Sequence, residues 1–315
     1  MSSRIISRAS YFLIITFIIF ISEWHNMSQS RAVAQTFSAL ETLEGAGVRL
    51  RRVFGYSQVP LFDPFLMLDD FRAERPGDYI NGFPWHPHRG IETVTYMLEG
   101  RVEHGDSMGH KGDVNAGGIQ WMTAGSGIIH QEMPKPVNGR MGGFQLWVNL
   151  PKSHKMMAPR YQEISAEKIP VVAVKENVSV RVICGTIAGI SGPVRNIVAD
   201  PEYLDISLGP GVEFTYPVRP GYMAAAYVTG GSGKFDAAGT DELENRTIAL
   251  FESRGTSVMI TAGRRGVKFL YFSGKPIREP VAWGGPIVMN TEAELQQAFD
   301  EYQNGTFIRK NGEVS

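Results

Sequence analysis

The stretch that decides the fold runs Trp85-His86-Pro87-His88-Arg89-Gly90-Ile91-Glu92-Thr93-Val94-Thr95-Tyr96-Met97-Leu98-Glu99-Gly100. We interpret it as a β-strand that begins on two histidines and ends in a Glu-Gly turn, with residues 101–104 as the return strand of a hairpin. Residues i and i+2 of a strand point to one face, so His86 and His88 present two imidazoles side by side.

A second pair of polar residues with the same spacing follows at His130 and Glu132, after a segment that contains Gly125 and Gly127. On facing strands of a small barrel, the two pairs would supply three imidazole nitrogens and one carboxylate oxygen to a single metal ion. These donors suit Fe, Mn, Co, Ni or Zn and leave up to two positions of an octahedral ion open for an organic substrate and for water or dioxygen. A structural zinc site would be closed, usually by thiolates, and the chain has a single cysteine.

Other polar residues near these pairs have simpler interpretations. For His86 and His88 the alternative is a pair of surface histidines beside a proline, and the recurrence of the spacing in the second pair argues against it. His104 and His110 flank a polar, turn-rich segment, so we predict that both are exposed to solvent. Glu92 would lie on the same strand face as His88, because the two are four residues apart. It is either an acid that holds an imidazole or part of a salt bridge in the barrel wall.

The composition favours an all-β protein, because 35 glycines, 18 prolines and many short runs of Val, Ile, Thr and aromatic residues are typical of short strands joined by turns. The net charge is -1 and 20% of the residues are charged, so the composition lacks the excess of basic residues that nucleic-acid-binding proteins show. The single cysteine, Cys184, excludes an internal disulfide and lies in an apolar run. We interpret it as a small buried hydrophobic residue instead of a reactive thiol.

Residues 1–40 form an extension that does not resemble the rest of the chain. Basic residues precede an apolar run at 11–21, and the Ala-Val-Ala at 32–34 could serve as a cleavage site, a pattern typical of a signal peptide. The run is too short for a comfortable membrane span. The alternative is that Met27 is the true start, which the absence of disulfide-forming cysteines favours. We therefore predict a cytoplasmic protein, with export as the alternative.

Two β-rich units follow the extension: a metal-binding domain at 41–163 and a second domain at 164–286, with a helix and tail at 287–315. Two short matches relate the units, 96–100 with 227–231 and 123–125 with 261–263. These offsets place four residues of the second unit opposite the candidate ligands of the first: Pro217, Arg219, Lys268 and Leu270. No histidine occurs after position 154. We therefore predict no metal site of this kind in the second unit, and one metal per chain.

A helix is predicted at 290–302, capped by its first or second residue, with Glu294 at capping-box distance from Thr291 and an apolar stripe that serves packing. Residues 230–234, Gly-Gly-Ser-Gly-Lys, superficially suggest a phosphate-binding loop. Phe235 stands where Ser or Thr is needed and no helical pattern follows, so we reject that interpretation.

Several segments resemble the pirin family of bicupins: residues 85–96, residues 120–134 with Thr-Ala-Gly-x-Gly-x-x-His-x-Glu-Met-Pro, and the tail at 285–291 and 302–305. The resemblance implies an all-β fold of two cupin barrels in tandem, each a double-stranded β-helix (jelly roll), with a short C-terminal helix. Gly125 stands where the general cupin motif has a proline. The first 26 residues match nothing in the family, which adds weight to Met27 as the start.

By this resemblance the metal ligands are His86, His88, His130 and Glu132, and the metal is usually iron. Glu92 is not a ligand, although it fits the general cupin motif. We expect Fe(II), with Mn, Co, Ni, Zn or Cu as alternatives.

The resemblance implies functions of two classes. Some pirins resemble quercetin 2,3-dioxygenases, in which dioxygen opens a metal-bound flavonol and carbon monoxide leaves. Others are metal-dependent regulators that bind a transcription factor or a metabolic enzyme, with the redox state of iron as the switch. We favour the dioxygenase, a monomer acting on a flavonol-like substrate and dioxygen without direct nucleic-acid binding. Glu132 is then the candidate catalytic base, since the flavonol must lose its 3-hydroxyl proton.

Overall fold

The computed structural model describes residues 30–237 and 241–309 of the chain. The apolar run at 11–21 and Met27 lie outside the described residues, so the cytoplasmic location stays a prediction. β-Strands dominate what is described, with one α-helix, Glu292–Gln303, near the C-terminus, which confirms the predicted all-β class. Within the described ranges, none of the helices is long and apolar enough to cross a membrane.

Short strands joined by turns build the chain, as its glycine and proline content predicts. In chain order the strands are β1 (Val33–Ser38), β2 (Leu40–Glu44), β3 (Val48–Phe54), β4 (Phe65–Asp70), β5 (Phe83–His88), β6 (Ile91–Glu99), β7 (Arg101–Asp106), β8 (Lys111–Asn115), β9 (Ile119–Thr123), β10 (Ile128–Lys135), β11 (Gly142–Asn149), β12 (Arg160–Ile164), β13 (Val171–Lys175), β14 (Val178–Cys184), β15 (Thr186–Ile187), β16 (Ile190–Ser191), β17 (Glu202–Leu208), β18 (Glu213–Pro217), β19 (Met223–Lys234), β20 (Leu243–Glu244), β21 (Thr247–Phe251), β22 (Ser257–Gly274), β23 (Ala282–Gly284) and β24 (Ile287–Met289). Single-turn 3-10 helices lie at Tyr56–Gln58, Pro76–Asp78 and Ala166–Lys168.

Two sheets make the first barrel. The larger has the strand order β12-β9-β6-β11-β4-β3-β2, and the smaller has the order β5-β10-β7-β8. From β4 to β11 the chain changes from one sheet to the other at each step except between β7 and β8, as in a jelly roll. β5 and β10 are antiparallel neighbours in the smaller sheet. The two predicted ligand pairs thus lie on adjacent strands, and the expectation of facing strands is wrong.

Residues 85–100 form parts of two strands instead of one. Gly90 separates β5 from β6 with a φ of +77°, and a Cβ at this position would lie 2.0 Å from the carbonyl oxygen of Val288, so only glycine fits. The predicted hairpin at Glu99-Gly100 is also wrong, because β7 pairs with β10 and β8 and not with β6. The turn at Gly100 carries the chain from the larger sheet to the smaller one.

A nine-stranded sheet forms the second barrel, with the path β1-β21-β19-β22-β17-β14-β13 and with β18 and β20 attached to β22 and β19. Part of the predicted N-terminal extension belongs to this barrel, since β1 pairs with β21. The two barrels pack on a shared apolar core, which includes Phe54 and Trp121 of the first and Tyr203 and Phe272 of the second.

Apolar side chains fill the interior of the second barrel. β18 pairs with the first part of β22, where Tyr216 lies opposite Val258 in the core. Pro217 is exposed, and Lys268 and Leu270 lie in the later part of β22, which pairs with β17. The predicted equivalence of Lys268 and Leu270 with the β10 residues His130 and Glu132 is therefore wrong. The sequence matches misjudged the register because β22 runs through 18 residues without the turn that separates β10 from β11.

The C-terminal helix begins as predicted. The Thr291 hydroxyl accepts the N–H of Glu294 at 3.2 Å, and the Glu294 carboxylate accepts the N–H of Thr291 at 3.0 Å. Leu295 and Ala298 are buried in an apolar cluster with residues of β23 and β24. Residues 230–234 lie within β19, which confirms that they are not a phosphate-binding loop.

Candidate metal site

Three imidazoles meet inside the first barrel, on its smaller sheet. His86 and His88 come from β5, and His130 comes from β10, where it lies opposite His86 in the antiparallel pair. One ring nitrogen from each residue lies within 4.8 Å of the others. The ring centroids are separated by 4.3 to 5.0 Å. The structure therefore brings these three predicted site residues together.

Backbone carbonyls hold the outer nitrogens of two of these rings. Nδ1 of His86 lies 2.8 Å from the carbonyl oxygen of Pro84, and Nδ1 of His88 lies 3.0 Å from that of Pro286. A carbonyl only accepts, so each Nδ1 carries the proton and each Nε2 keeps a lone pair. The two Nε2 atoms are 3.1 Å apart. At this distance, one metal cation between the two nitrogens could accept both lone pairs.

His130 is fully buried, and neither of its ring nitrogens has a hydrogen-bond partner among the described residues. Burial, reinforced by His88 and His86, lowers the pKa of His130 well below its usual range. Burial and then His86 lower the pKa of His88 to about 3. Both rings are therefore neutral near pH 7, the form that binds a metal. The donor set fits a transition-metal ion.

Glu132 follows on β10, and hydrogen bonds hold its buried carboxylate. Oε1 accepts from the Thr95 hydroxyl at 2.9 Å and from the Gln120 amide at 3.4 Å, and Oε2 accepts from the Gln145 amide at 2.9 Å. A β-bulge between His130 and Glu132 interrupts the pairing with β5. The carboxylate is not one of the converging ligand atoms, so Glu132 as the fourth ligand stays a prediction.

The prediction that His104 is exposed is wrong. Its side chain is fully buried, its ring centroid lies 5.4 Å from that of His130, and its Nε2 lies 3.3 Å from the Asp106 carboxylate. The pairing of β7 with β10 directs His104 into the barrel. His110 is 47% exposed, as predicted, and its Nδ1 lies 2.8 Å from the same carboxylate. The sequence signal that could have placed His104 inside is the alternation of apolar Val102 with charged Arg101 and Glu103, which puts His104 on the same face of the strand as Val102.

Glu92 is bonded to the barrel wall and not to an imidazole. Its Oε1 accepts from the Thr123 hydroxyl at 2.6 Å and lies 3.8 Å from the Arg160 guanidinium. Burial raises the pKa of Glu92 to about 7. Of the two interpretations of Glu92, the structure supports the salt bridge. Cys184 is buried as predicted, and burial raises the pKa of its thiol to about 12.

A cavity of about 600 Å³ opens beside His86 and His88. Its wall is rich in aromatic rings from separate parts of the chain: Tyr56, Phe83, Trp85, Trp147 and Trp283. Tyr56 and Trp85 are 70% and 52% exposed, which is a large apolar area to leave in water. The ring of Trp147 meets that of His88 edge-on at 5.1 Å. Sequence reasoning missed this wall, because its members are far apart in the chain.

The C-terminal segment closes one side of the site. Pro286, which accepts from His88, precedes β24 and the C-terminal helix. Arg89 bonds to this segment through two contacts. Its Nη2 donates to the Phe307 carbonyl at 2.9 Å, and its Nη1 forms an ion pair with the Glu301 carboxylate at 2.7 Å. The guanidinium also lies 4.1 Å from the centroid of the Phe307 ring. The residue next to a candidate ligand thus anchors the tail that orients that ligand.

We expect Arg89→Leu to lower the free energy of unfolding by about 3 kcal/mol, because it removes one partner of a buried ion pair. Arg309→Leu is the matched control, since Arg309 contacts the same Glu301 carboxylate at 3.5 Å from a more exposed position. Its loss should cost less than about 1 kcal/mol. Urea unfolding of the metal-free proteins measures both changes. Equal losses would show that the buried pair does not anchor the tail.

Comparison with known proteins gives consistent matches. The family model Pirin matches residues 47–148, and the model Pirin C-terminal cupin domain matches residues 203–308. A pirin-like protein from Caulobacter vibrioides is 46% identical over 278 residues, covering 88% of this chain and 99% of the relative. Pirin from Homo sapiens is 41% identical, covering 91% and 96%. The crystal structure of a quercetin 2,3-dioxygenase from Acinetobacter baumannii is 32% identical with a TM-score of 0.81, covering 88% and 98%.

Proposed function

Because this chain belongs to the pirin family, we propose that it is a mononuclear metal-dependent dioxygenase that opens flavonols such as quercetin with dioxygen and releases carbon monoxide. The observation that carries the proposal is the group His86, His88 and His130, two members of which border the aromatic-walled cavity. The cavity volume of about 600 Å³ is in the range of small-molecule sites. A protein that only held a metal would not need such a cavity.

Fe(II) is the proposed metal, held by the three imidazoles and Glu132, with Mn, Co, Ni, Zn or Cu as alternatives. When bound, it supplies Lewis acidity and the redox chemistry of dioxygen. Glu132 takes up the proton of the substrate's 3-hydroxyl. Its Oε2 accepts one hydrogen bond, from Gln145, and would keep a lone pair for the metal. The proton would go to Oε1 in place of the Gln120 amide, whose contact at 3.4 Å is the longest of the three hydrogen bonds to this carboxylate.

The aromatic wall orients a planar substrate. The Trp147 and Trp283 rings lie 5.8 Å apart, and Tyr56 meets Trp283 edge-on at 5.6 Å. Rings packed on one another keep fixed planes, so the face of a flavonol can stack against them. Arg52 and Asp69 also line the cavity and form an ion pair at 2.8 Å, which provides polar contacts for phenolic hydroxyls.

Trp283→Ala should weaken flavonol binding about tenfold, because it removes an aromatic contact together with its buried apolar area. Isothermal titration of the metal-loaded protein measures the dissociation constant, and Trp283→Phe should restore much of the affinity. Tyr302→Ala is the control, since Tyr302 is 39% exposed on the C-terminal helix and does not line the cavity. If both alanine variants bind the flavonol alike, the aromatic wall has no part in recognition.

The activity itself is tested by measuring carbon monoxide release and dioxygen uptake with quercetin, per metal bound in the same sample. We expect the iron-loaded protein to release one carbon monoxide for each dioxygen consumed. A metal-replete protein that turns over no flavonol would reject the dioxygenase and favour the redox-sensing regulator. That alternative requires partner binding that differs between ferrous and ferric protein.

A further inference from the structure

A groove of about 850 Å³ lies between the two barrels and shares no lining residue with the cavity beside the histidines. One wall comes from β3, β4 and β11 of the first barrel, and the other comes from β14, β17, β19 and β22 of the second. Clefts between domains are common sites for small ligands. The flavonol chemistry proposed above leaves this groove without a role.

Basic side chains line the groove in excess: Arg49, Arg51, Arg72, Arg75, Arg140, Arg181, Arg246 and Lys268. The acidic side chains that line it are Glu41, Asp70, Glu74, Asp78, Glu99 and Asp205. The whole chain has a net charge of -1, so the positive excess belongs to the groove and not to the protein at large.

Ion pairs neutralise the cations of the first barrel. The pairs join Arg49 to Glu41 and Asp78, Arg51 to Glu41, Arg72 to Asp70, Arg75 to Asp78, and Arg140 to Glu74 and Glu99. Among the described residues, the cations of the second barrel, Arg181, Arg246 and Lys268, form no ion pair. The remaining acid, Asp205, accepts a hydrogen bond from the Tyr96 hydroxyl at 2.7 Å. Burial raises the pKa of Asp205, whereas Tyr96, Arg181 and Lys268 lower it. One carboxyl can offset at most one of the three cationic charges.

The three cations without an ion pair in the described ranges lie along one sheet. Arg181 is on β14 and Lys268 is on β22, with β17 between them. The backbone N–H of Arg246 donates to the Val228 carbonyl at 2.8 Å, which places Arg246 beside β19, the neighbour of β22 on its other side. Adjacent strands are about 4.8 Å apart. Arg181 and Arg246 are thus about 19 Å apart along the sheet, with Lys268 between them. All three side chains line the groove, so an elongated ligand can contact them together.

Two of these cations carry donors without an acceptor. Nε of Arg181 and Nε of Arg246 are buried, and in the described part of the chain neither has a hydrogen-bond partner. The Arg181 guanidinium is held in place, because its Nη2 donates to the Gly117 carbonyl at 2.9 Å. An anionic oxygen bound in the groove would satisfy such donors.

We propose that the groove binds a small polyanion, a metabolite that carries several phosphoryl or carboxylate oxygens, through Arg181, Arg246 and Lys268. The arginine fork matches both groups, and lysine adds a mobile point charge. A nucleic-acid strand fits poorly, because the cations of the opposite wall are already paired with carboxylates and the chain has no net positive charge.

The test is isothermal titration of the full-length, metal-loaded protein with tripolyphosphate and, separately, with citrate, which distinguishes phosphoryl from carboxylate ligands. At least one probe should bind, and Arg246→Gln should weaken it by about tenfold or more. Lys268→Gln and Lys268→Glu should weaken it progressively, and Lys268 is exposed, so the fold should survive both changes. Arg264→Gln is the control, because Arg264 is exposed on β22 and does not line the groove.

Binding of neither probe overturns the proposal. So does equal affinity in the wild type and in the Lys268 variants, or an equal loss in Arg264→Gln, which would show general surface attraction. Thermal unfolding of each variant checks its fold. Flavonol turnover is measured in the same variants and should not change, so the failure of this proposal is separable from that of the dioxygenase.

Discussion

Replacing His130 with alanine should remove the bound metal, with an affinity loss of at least about 10²-fold, while the metal-free barrel stays folded. His130 is the most buried of the three imidazoles, and both of its nitrogens lack a protein partner in the described residues. The alanine variant therefore loses a ligand without breaking a hydrogen bond of the apo protein. Metal content after dialysis measures the loss, and circular dichroism checks the fold. His86→Ala should behave alike.

His110→Ala is the matched control for this experiment. Its side chain is 47% exposed and contacts Asp106, so metal content should not change. His104 cannot serve as a second control, because its buried ring lies against that of His130. Stoichiometric metal in the double variant His86→Ala/His88→Ala would reject the site.

Glu132→Gln should retain some iron and lose turnover by about 10²-fold or more, the usual contribution of a positioned base. An amide oxygen can still coordinate a metal, but it is a far weaker base than a carboxylate. Turnover is measured per bound metal at saturating flavonol. Equal rates in the variant and the wild type would remove Glu132 from the role of base.

A paired exchange separates basicity from hydrogen bonding. In Glu132→Gln the new amide meets the donating amide of Gln145, which lies 2.9 Å from Oε2 in the wild type. The double variant Glu132→Gln/Gln145→Glu restores a donor and an acceptor to this contact. We expect it to recover the melting temperature and not the turnover. Recovery of turnover would mean that a carboxylate at either position of this contact can serve as the base, since Gln145 also lines the cavity.

The candidate site was largely predictable from local sequence patterns. The spacing of His86 and His88 places both on one face of a strand, whichever sheet that strand joins, because strand parity is a local property. The capping box at Thr291 is local for the same reason, and it forms as predicted. The absence of histidine from the second unit likewise required no structure.

Predictions that depended on parity across a turn or on strand pairing failed. Glu92 and His88 are an even number of residues apart and were expected on the same face of one strand. The turn at Gly90 places them on strands of different sheets, so their side chains do not share a face. His104 was assigned to the surface from its polar neighbours, although the pairing of its strand with β10 buries it. The equivalence of Lys268 with a ligand failed because short matches cannot fix the register of an 18-residue strand.

By itself, the sequence determined the two-barrel all-β class, the histidines that are candidate metal donors, and the lack of such histidines in the second barrel. Only the tertiary structure decided what surrounds the donors: the Pro286 carbonyl that orients His88, the aromatic wall that includes Trp283, and the cationic groove between the barrels. The physical reason is the range of the interactions. Side-chain direction along a strand follows from bond geometry within a few residues. Contacts between residues such as His88 and Pro286, 198 positions apart, exist only once sheet order and register are set.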